Sequence, residues 1–263
     1  RTRGYVLELT EGLTTYTLTG RNGANIQARI GERMGNIYGA GFARVEDPAS
    51  PYFGQIIHNT SGTPITSPTL KNQGNYNPDW MLGLQNNFSY KGISLGFLFD
   101  YRHGGIVVSR TKTIGSTSGQ LAETLLGREN GYDLTQPGNG IISEGVIRNA
   151  DGSFTPNTIK ITSRNWHNRY YERNNVEAAK YDATFLKLRE VTIGYTIPKS
   201  ILGKMPIQDV KISLVARNLA LWTENPHFDP ETMAMGGGTL IPGVEDMAFP
   251  STRNIGFNLN VKF

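Results

Sequence analysis

Apolar and polar residues alternate along several stretches of this chain, most regularly over its last nine residues. Ile255, Phe257, Leu259, Val261 and Phe263 fall on one side of an extended strand. Gly256, Asn258, Asn260 and Lys262 fall on the other, because side chains of a strand point to alternate faces. The same pattern runs through Leu82, Leu84, Phe88 and Tyr90, set against Gly83, Gln85, Asn87 and Ser89, with Asn86 interrupting the apolar row. It resumes after Lys91-Gly92, where Ile93, Leu95, Phe97, Phe99 and Tyr101 oppose Ser94, Gly96, Leu98, Asp100 and Arg102. Two such runs joined by so short a turn predict a β-hairpin.

A third strand is predicted from about Thr184 to Ile197. Val191, Ile193 and Tyr195 share one phase, whereas Leu186 and Leu188 keep the opposite one, so a bulge is expected near Arg189 or Glu190. Pro198 ends it. A fourth strand is expected over about Gln208 to Leu221, with Val210, Ile212, Leu214 and Ala216 on one face. A weaker strand is expected from Asn36 to Val45, and the first thirty residues hold one or two more of unclear phase.

The connections are unequal. Lys91-Gly92 and Lys199–Pro206 are short. The segments 47–79, 103–183 and 222–252 are long, roughly 30 to 80 residues, and long and short alternate, as in barrels with short periplasmic turns and long outer loops. Tyr90, Tyr101, Tyr195, Trp222 and Phe263 sit near strand ends, where a membrane interface favours aromatic rings, although aromatic residues suit any strand. The hairpin strands are near the about nine to eleven residues that cross a bilayer. Leu82, Leu84, Phe88, Ile93, Leu95, Phe97 and Phe99 are therefore expected to face lipid, and Gln85, Asn87, Ser94 and Asp100 the lumen. Taken alone, the last strand suits a barrel and a soluble sheet edge equally.

Composition narrows the choice. Gly 31, Tyr 12 and Phe 11 with only 18% charged residues suit a β-rich, turn-rich protein. Without cysteine, disulfide and thiolate metal chemistry are excluded. The formal charge of +4 comes from scattered Lys and Arg, with no basic block of the kind a nucleic-acid face carries. No apolar run reaches the length of a membrane helix, which leaves barrels open. Arg1-Thr2-Arg3-Gly4-Tyr5 lacks the features of a signal peptide, so a secreted chain has either lost its signal or begins upstream.

Several segments resemble the C-terminal part of SusC/RagA-type TonB-linked outer-membrane transporters. They are Tyr181 to Pro198 (YDATFLKLREVTIGYTIP), Ala216-Arg217-Asn218-Leu219, Phe228-Asp229-Pro230-Glu231 and Phe249-Pro250-Ser251-Thr252-Arg253. Upstream, Gly31-Glu32-Arg33-Met34-Gly35-Asn36-Ile37-Tyr38-Gly39 is similar to a Gly-rich strand entry of the family. Asn77-Pro78-Asp79-Trp80 with Phe88-Ser89-Tyr90-Lys91-Gly92 is similar to its next hairpin. The resemblance runs over about residues 30–263.

It implies an all-β fold, an antiparallel transmembrane barrel of about 22 strands with a plugged lumen. This chain would supply roughly the last six strands as the C-terminal part of the receptor, without signal, TonB box, plug or early strands. Six strands cannot close a barrel, and open edges are not tolerated in lipid. The resemblance further implies residence in the outer membrane of a Gram-negative bacterium. It implies import of oligosaccharides or peptides, energised by TonB through the missing N-terminal part, under a SusD-like surface lipoprotein. A terminal aromatic such as Phe263 would be read as an assembly signal. An outer-membrane enzyme and a soluble β-sandwich adhesin are the alternatives.

No catalytic constellation stands out, and neither a metal nor a cofactor is expected. His58, His103, His167 and His227 lack ligand spacing and read as solvated loop residues. Asn149-Ala150-Asp151-Gly152 reads as a β-turn rather than a calcium loop. Gly236-Gly237-Gly238 lacks the following helix of a phosphate cradle. Asp229 and Glu231 suit a cation or a sugar hydroxyl, but better suit ordering of their own loop. Trp166, Arg169, Tyr170 and Tyr171, within Asn165–Arg173, are the best ligand or lid-contact candidates, because such residues stack on sugars and dominate interfaces. The competing reading is that they pack the loop on itself.

Overall fold

The computed structural model describes residues 4–203, 205–225 and 227–263, so the reading of Arg1, Thr2 and Arg3 lies outside the described residues. Five long strands make one antiparallel sheet: β1 (Trp80–Tyr90), β2 (Ile93–His103), β3 (Phe185–Thr196), β4 (Asp209–Thr223) and β5 (Asn254–Lys262). Their order is β5-β4-β3-β2-β1, each strand beside its predecessor in sequence. The Lys91-Gly92 turn takes φ of 47° and 84°, both positive, as the tight turn of a two-residue hairpin requires.

Register turns the separate alternations into one surface. Phe88 opposes Leu95, Leu95 opposes Ile193, Ile193 opposes Leu214, and Leu214 opposes Phe257. The next row on that face runs Asn86, Phe97, Val191, Ala216 and Ile255, polar only at Asn86, and the one beyond it Leu84, Phe99, Leu188 and Ala220. One face of all five strands is therefore apolar, and much of it is uncovered: Leu82 is 57% exposed and Phe257 80%. A contiguous apolar face of this size is foreign to the surface of a soluble monomer. The aromatic residues band the two ends of this face. Tyr90 and Tyr195 lie at the short-turn end, while Trp80 and Tyr101 (5.0 Å between ring centroids) with Trp222 lie at the other.

The expected bulge is present. Leu188 pairs with Phe99 and Glu190 with Leu98, leaving Arg189 outside the ladder. Leu188 and Val191 thereby reach the same apolar face although three residues apart, and both Arg189 and Glu190 are kept to the polar side. On β4 the matching irregularity lies between Arg217 and Ala220, where Asn218 adopts φ 52°, a left-handed conformation that Asn tolerates.

The long segments are not loose loops. All of them emerge at one end of the sheet and fold into a cap with its own core. Ala24, Ile26, Ile37, Val108, Val176, Ala179, Ala234, Ile241 and Val244 form one buried cluster drawn from the segments outside the five strands. The strands at Thr15–Arg21, Ala24–Arg29, Asn36–Gly39 and Lys71–Asn75 make a four-stranded sheet of this cap. The expected strand from Asn36 to Val45 thus differs from the expectation. Only Asn36–Gly39 is a strand, all four residues are buried, and it belongs to the cap sheet. The five-strand sheet is the whole of the amphipathic wall among the described residues, one strand fewer than the expected six. A residue buried on both faces has no lipid-facing side, and the short Asn-Ile-Tyr-Gly run did not reveal that. Gly39 lets the cap close: a Cβ there would lie 2.5 Å from Val176 Cγ2.

Candidate functional site

Two helices shape the interior of the cap. The first, α1 (Arg110–Thr117), begins at Ser109, whose hydroxyl accepts from the Lys112 N–H at 3.0 Å. The fully buried Glu245 completes the start: it accepts from Ser109 Oγ at 2.7 Å and from the Thr111 N–H at 3.2 Å. A carboxylate at a helix N-terminus is favourable on charge as well as hydrogen bonding. Lys112, itself buried, pairs with Glu123.

The second helix, α2 (Ser163–Tyr170), is capped by Thr162, which accepts from the Asn165 N–H at 3.3 Å, and it carries the aromatic candidates. Trp166 stacks on Tyr170 at 4.6 Å, His167 on Tyr171 at 5.9 Å, and Tyr170 meets Phe42 at 4.7 Å. Trp166, Tyr170 and Tyr171 are all partly buried, so most of this ring surface packs the cap on itself. Burial pushes the Tyr170 and Tyr171 hydroxyls up, and Tyr181 up to about 12. Arg169 differs, lying exposed and only 4.0 Å from Glu172. It borders an open groove lined by Asn59, Thr63, Asn165 and Asn168.

Asp229 and Glu231 lie apart from that helix, against the polar face of the sheet. Lys187 donates to both oxygens of Asp229, at 2.8 and 2.7 Å, and also pairs with Glu231. Arg189 donates to Glu231 at 2.7 Å and to Asp100 at 2.6 Å. The loop is thereby fastened to β3 and β2, in keeping with the loop-ordering reading. Burial opposes ionisation of Asp229, yet the Lys187 ammonium and the Glu231 N–H hold its carboxyl below the ordinary value. Glu231 is likewise held down against burial by Arg189 and Lys187. Sequence reasoning missed Lys187, Arg189 and Asp100 as partners. The available signal was opposite charge at polar-phase positions of neighbouring strands.

Two of the four histidines depart from expectation. His58 and His167 are buried, not solvated, and burial lowers the pKa of each. His103 is exposed, and His227 lies 3.8 Å from Glu123. Among the described residues no group of three or more His, Asp or Glu could hold a metal ion. Asn149–Ser153 is a hairpin turn, with Asp151 Oδ1 accepting from the Ser153 N–H at 2.9 Å. Gly237 and Gly238 turn a short hairpin with φ of 57° and 82°. Phe263 lies one residue beyond β5, in phase with Leu259 and Val261 and largely exposed. No helix among the described residues is long and apolar enough to cross a membrane, which says nothing of strands.

The chain carries a folded cap over one end of an amphipathic antiparallel sheet, and several known proteins are similar to it. TonB-dependent receptor P3 of Formosa agariphila is 24% identical over 257 residues, which is 89% of this chain and 23% of the receptor. TonB-dependent receptor P26 of the same organism is 25% identical over 190 residues, 71% of this chain and 17% of the receptor. The chain thus spans less than a quarter of the length of these relatives. Among solved structures, the RagAB peptide importer in its open-open state superposes over 97% of this chain and 25% of that chain. Its TM-score is 0.57 at 19% sequence identity. No protein-family model matches. The chain is thus similar in sequence to parts of TonB-dependent receptors and in fold to part of a chain of the RagAB importer.

Proposed function

We propose that this chain is the C-terminal portion of a TonB-dependent importer in the outer membrane of a Gram-negative bacterium. Its five strands belong to a larger closed barrel, of about 22 strands in the resembling family. The observation that carries the reading is the continuous apolar face across all five strands, with every long connection leaving at one end. Both outer strands, β1 and β5, have an unpaired edge among the described residues, and lipid does not tolerate unpaired backbone, which supports further strands flanking them.

The apolar face meets lipid, the opposite face lines the lumen, and the cap stands outside the cell beneath a SusD-like lipoprotein. Oligosaccharides or peptides pass by the cap and are drawn inward by TonB acting on the plug. Arg169 and its groove are the ligand or lid contact retained from the aromatic segment, while Trp166, Tyr170 and Tyr171 hold the helix that presents them. Phe263, continuing the exposed apolar row of β5, is the residue proposed to be recognised during barrel assembly.

Cysteine placement tests the topology, since the chain has no cysteine of its own. A membrane-impermeant maleimide on whole cells should label Arg148→Cys in the cap and leave Lys91→Cys at the tight turn unlabelled. Repeating the labelling without the lipoprotein removes shielding as an explanation. Labelling at Lys91→Cys alone would invert the topology and defeat the reading. Loss of growth on the imported solute, in a strain lacking the receptor, tests transport.

A further inference from the structure

A cavity of about 300 Å³ lies in the cap between the end of α1, the start of α2 and the segment 124–132. That is the small end of the range of ligand pockets, roughly 300–1,000 Å³, and suits one sugar ring or one amino acid. Its lining is uncharged except for two guanidiniums, Arg128 and Arg164, and no carboxylate borders it. Arg128 donates to Gly119 O at 3.1 Å, Thr124 Oγ1 at 3.0 Å and Tyr132 Oη at 3.3 Å, all neutral acceptors. Arg164 is exposed and has no hydrogen-bond or ion-pair partner among the described residues. The nearby acid, Glu123, is engaged by Lys112 and Ser116 and stays out of the lining.

A second observation points the same way. His167 is 4% exposed, lines this cavity, and has no hydrogen-bond partner at either ring nitrogen. Buried polar groups in folded proteins are nearly always paired, so an orphaned imidazole in a cavity wall marks a place where a polar ligand completes the structure. The first turn of α2 adds the positive end of a helix dipole to the same wall.

We infer that this cavity binds an oxyanion group, a carboxylate or a sulfate, carried by a small solute. Arg164 supplies a planar fork of donors matched to two oxygens of such a group, Arg128 adds fixed positive charge, and His167 meets a neighbouring polar atom of the solute. The inference concerns binding alone and requires no transport step.

The test is calorimetric titration of the complete natural receptor containing this chain, in detergent and at ionic strength fixed with chloride. Inorganic sulfate, glucuronate and N-acetylaspartate are the anionic probes, and glucose is the neutral control. At least one anion should bind saturably and glucose should not. Arg164→Gln should weaken binding at least tenfold without moving the thermal midpoint of the ligand-free receptor, since Arg164 is exposed and makes no hydrogen bond or ion pair among the described residues. Arg164→Lys should recover part of the loss. Stronger binding of glucuronate would assign the site to acidic glycans, and stronger binding of N-acetylaspartate to acidic peptides. Absence of binding by every anion, or equal affinity of wild type and Arg164→Gln, overturns the proposal. Import measured in the same variants is a separate readout, so failure of transport and failure of binding remain distinguishable.

Discussion

Arg189 and Asp100 are joined across neighbouring strands, Nη2 to Oδ2 at 2.6 Å, and Arg189 at the same time holds Glu231 of the long loop. A residue displaced from the sheet ladder by a bulge thus becomes the tie between wall and cap. Lys187, two residues earlier on β3, makes the second tie through Asp229.

Breaking that second tie should loosen the loop. Lys187 is 6% exposed at its side chain and Asp229 5%, so removing the cation strands buried charge. Lys187→Met should destabilise the docked loop by about 3–5 kcal/mol, the usual penalty for orphaning one partner of a buried pair. Hydrogen exchange over residues 224–232 should accelerate accordingly, while exchange over β1 and β2 stays slow. Unchanged protection of 224–232 would show that other contacts hold the loop.

The same ties set a pH dependence. The pKa values of Asp229 and Glu231 are both lower folded than unfolded, so they add stability above the ordinary carboxylate range, near 4. That contribution begins to fall as pH drops below the unfolded value and is gone once pH passes below the folded one. Proteolysis of the 224–232 loop should therefore stay constant from pH 7 to about 5 and rise at lower pH. In Asp229→Asn/Glu231→Gln the acid-induced rise should be smaller, with faster cleavage already at pH 7.

The two faces of the sheet should answer differently to charge. Gln85 and Asn86 lie at the level of Leu98 and Phe97, with Gln85 on the polar side and Phe97 on the apolar side. Phe97→Lys should cost on the order of 2–4 kcal/mol if that level is near the bilayer midplane, and Gln85→Lys far less. The fraction of receptor that resists unfolding in cold detergent electrophoresis measures the difference. Equal losses at the two positions would contradict a lipid-facing assignment.

The cap should have a stability of its own. Ile37 is fully buried in its core, and Ile37→Ala removes packing worth about 2–5 kcal/mol. Limited proteolysis on whole cells should then cut within the cap while the receptor still accumulates in the membrane. Loss of the receptor altogether would mean that cap and sheet fold as one unit.

The wall was legible in the sequence because its signal has period two and repeats in five strands. Even the bulge could be placed, since Leu188 and Val191 cannot share a face without an extra residue between them. The cap was not legible. Its strands are as short as two to seven residues, several are buried on both sides, and their pairing joins segments far apart in the chain, as at Val108 with Val244. His58 and His167 were misjudged for the same reason: a loop histidine is solvated only if its loop has no core. The Asp229 and Glu231 ties were half visible, because an acidic turn advertises local order but not which strand cations will meet it.

At Leu188–Val191 the three central strands use unequal lengths of backbone to cover the same step of the sheet. Between matched pairs, β2 advances one residue, from Leu98 to Phe99. Over the same step β3 advances two residues and β4 three, from Arg217 to Ala220. Material is therefore let in progressively from one strand to the next, as a tailor lets a gusset into cloth, and bulges of this kind add local bend and twist. At that level the sheet is therefore bent and more strongly twisted than in the regular ladder below. The loop that Arg189 and Lys187 hold in place docks against the polar side of the sheet at this irregular level.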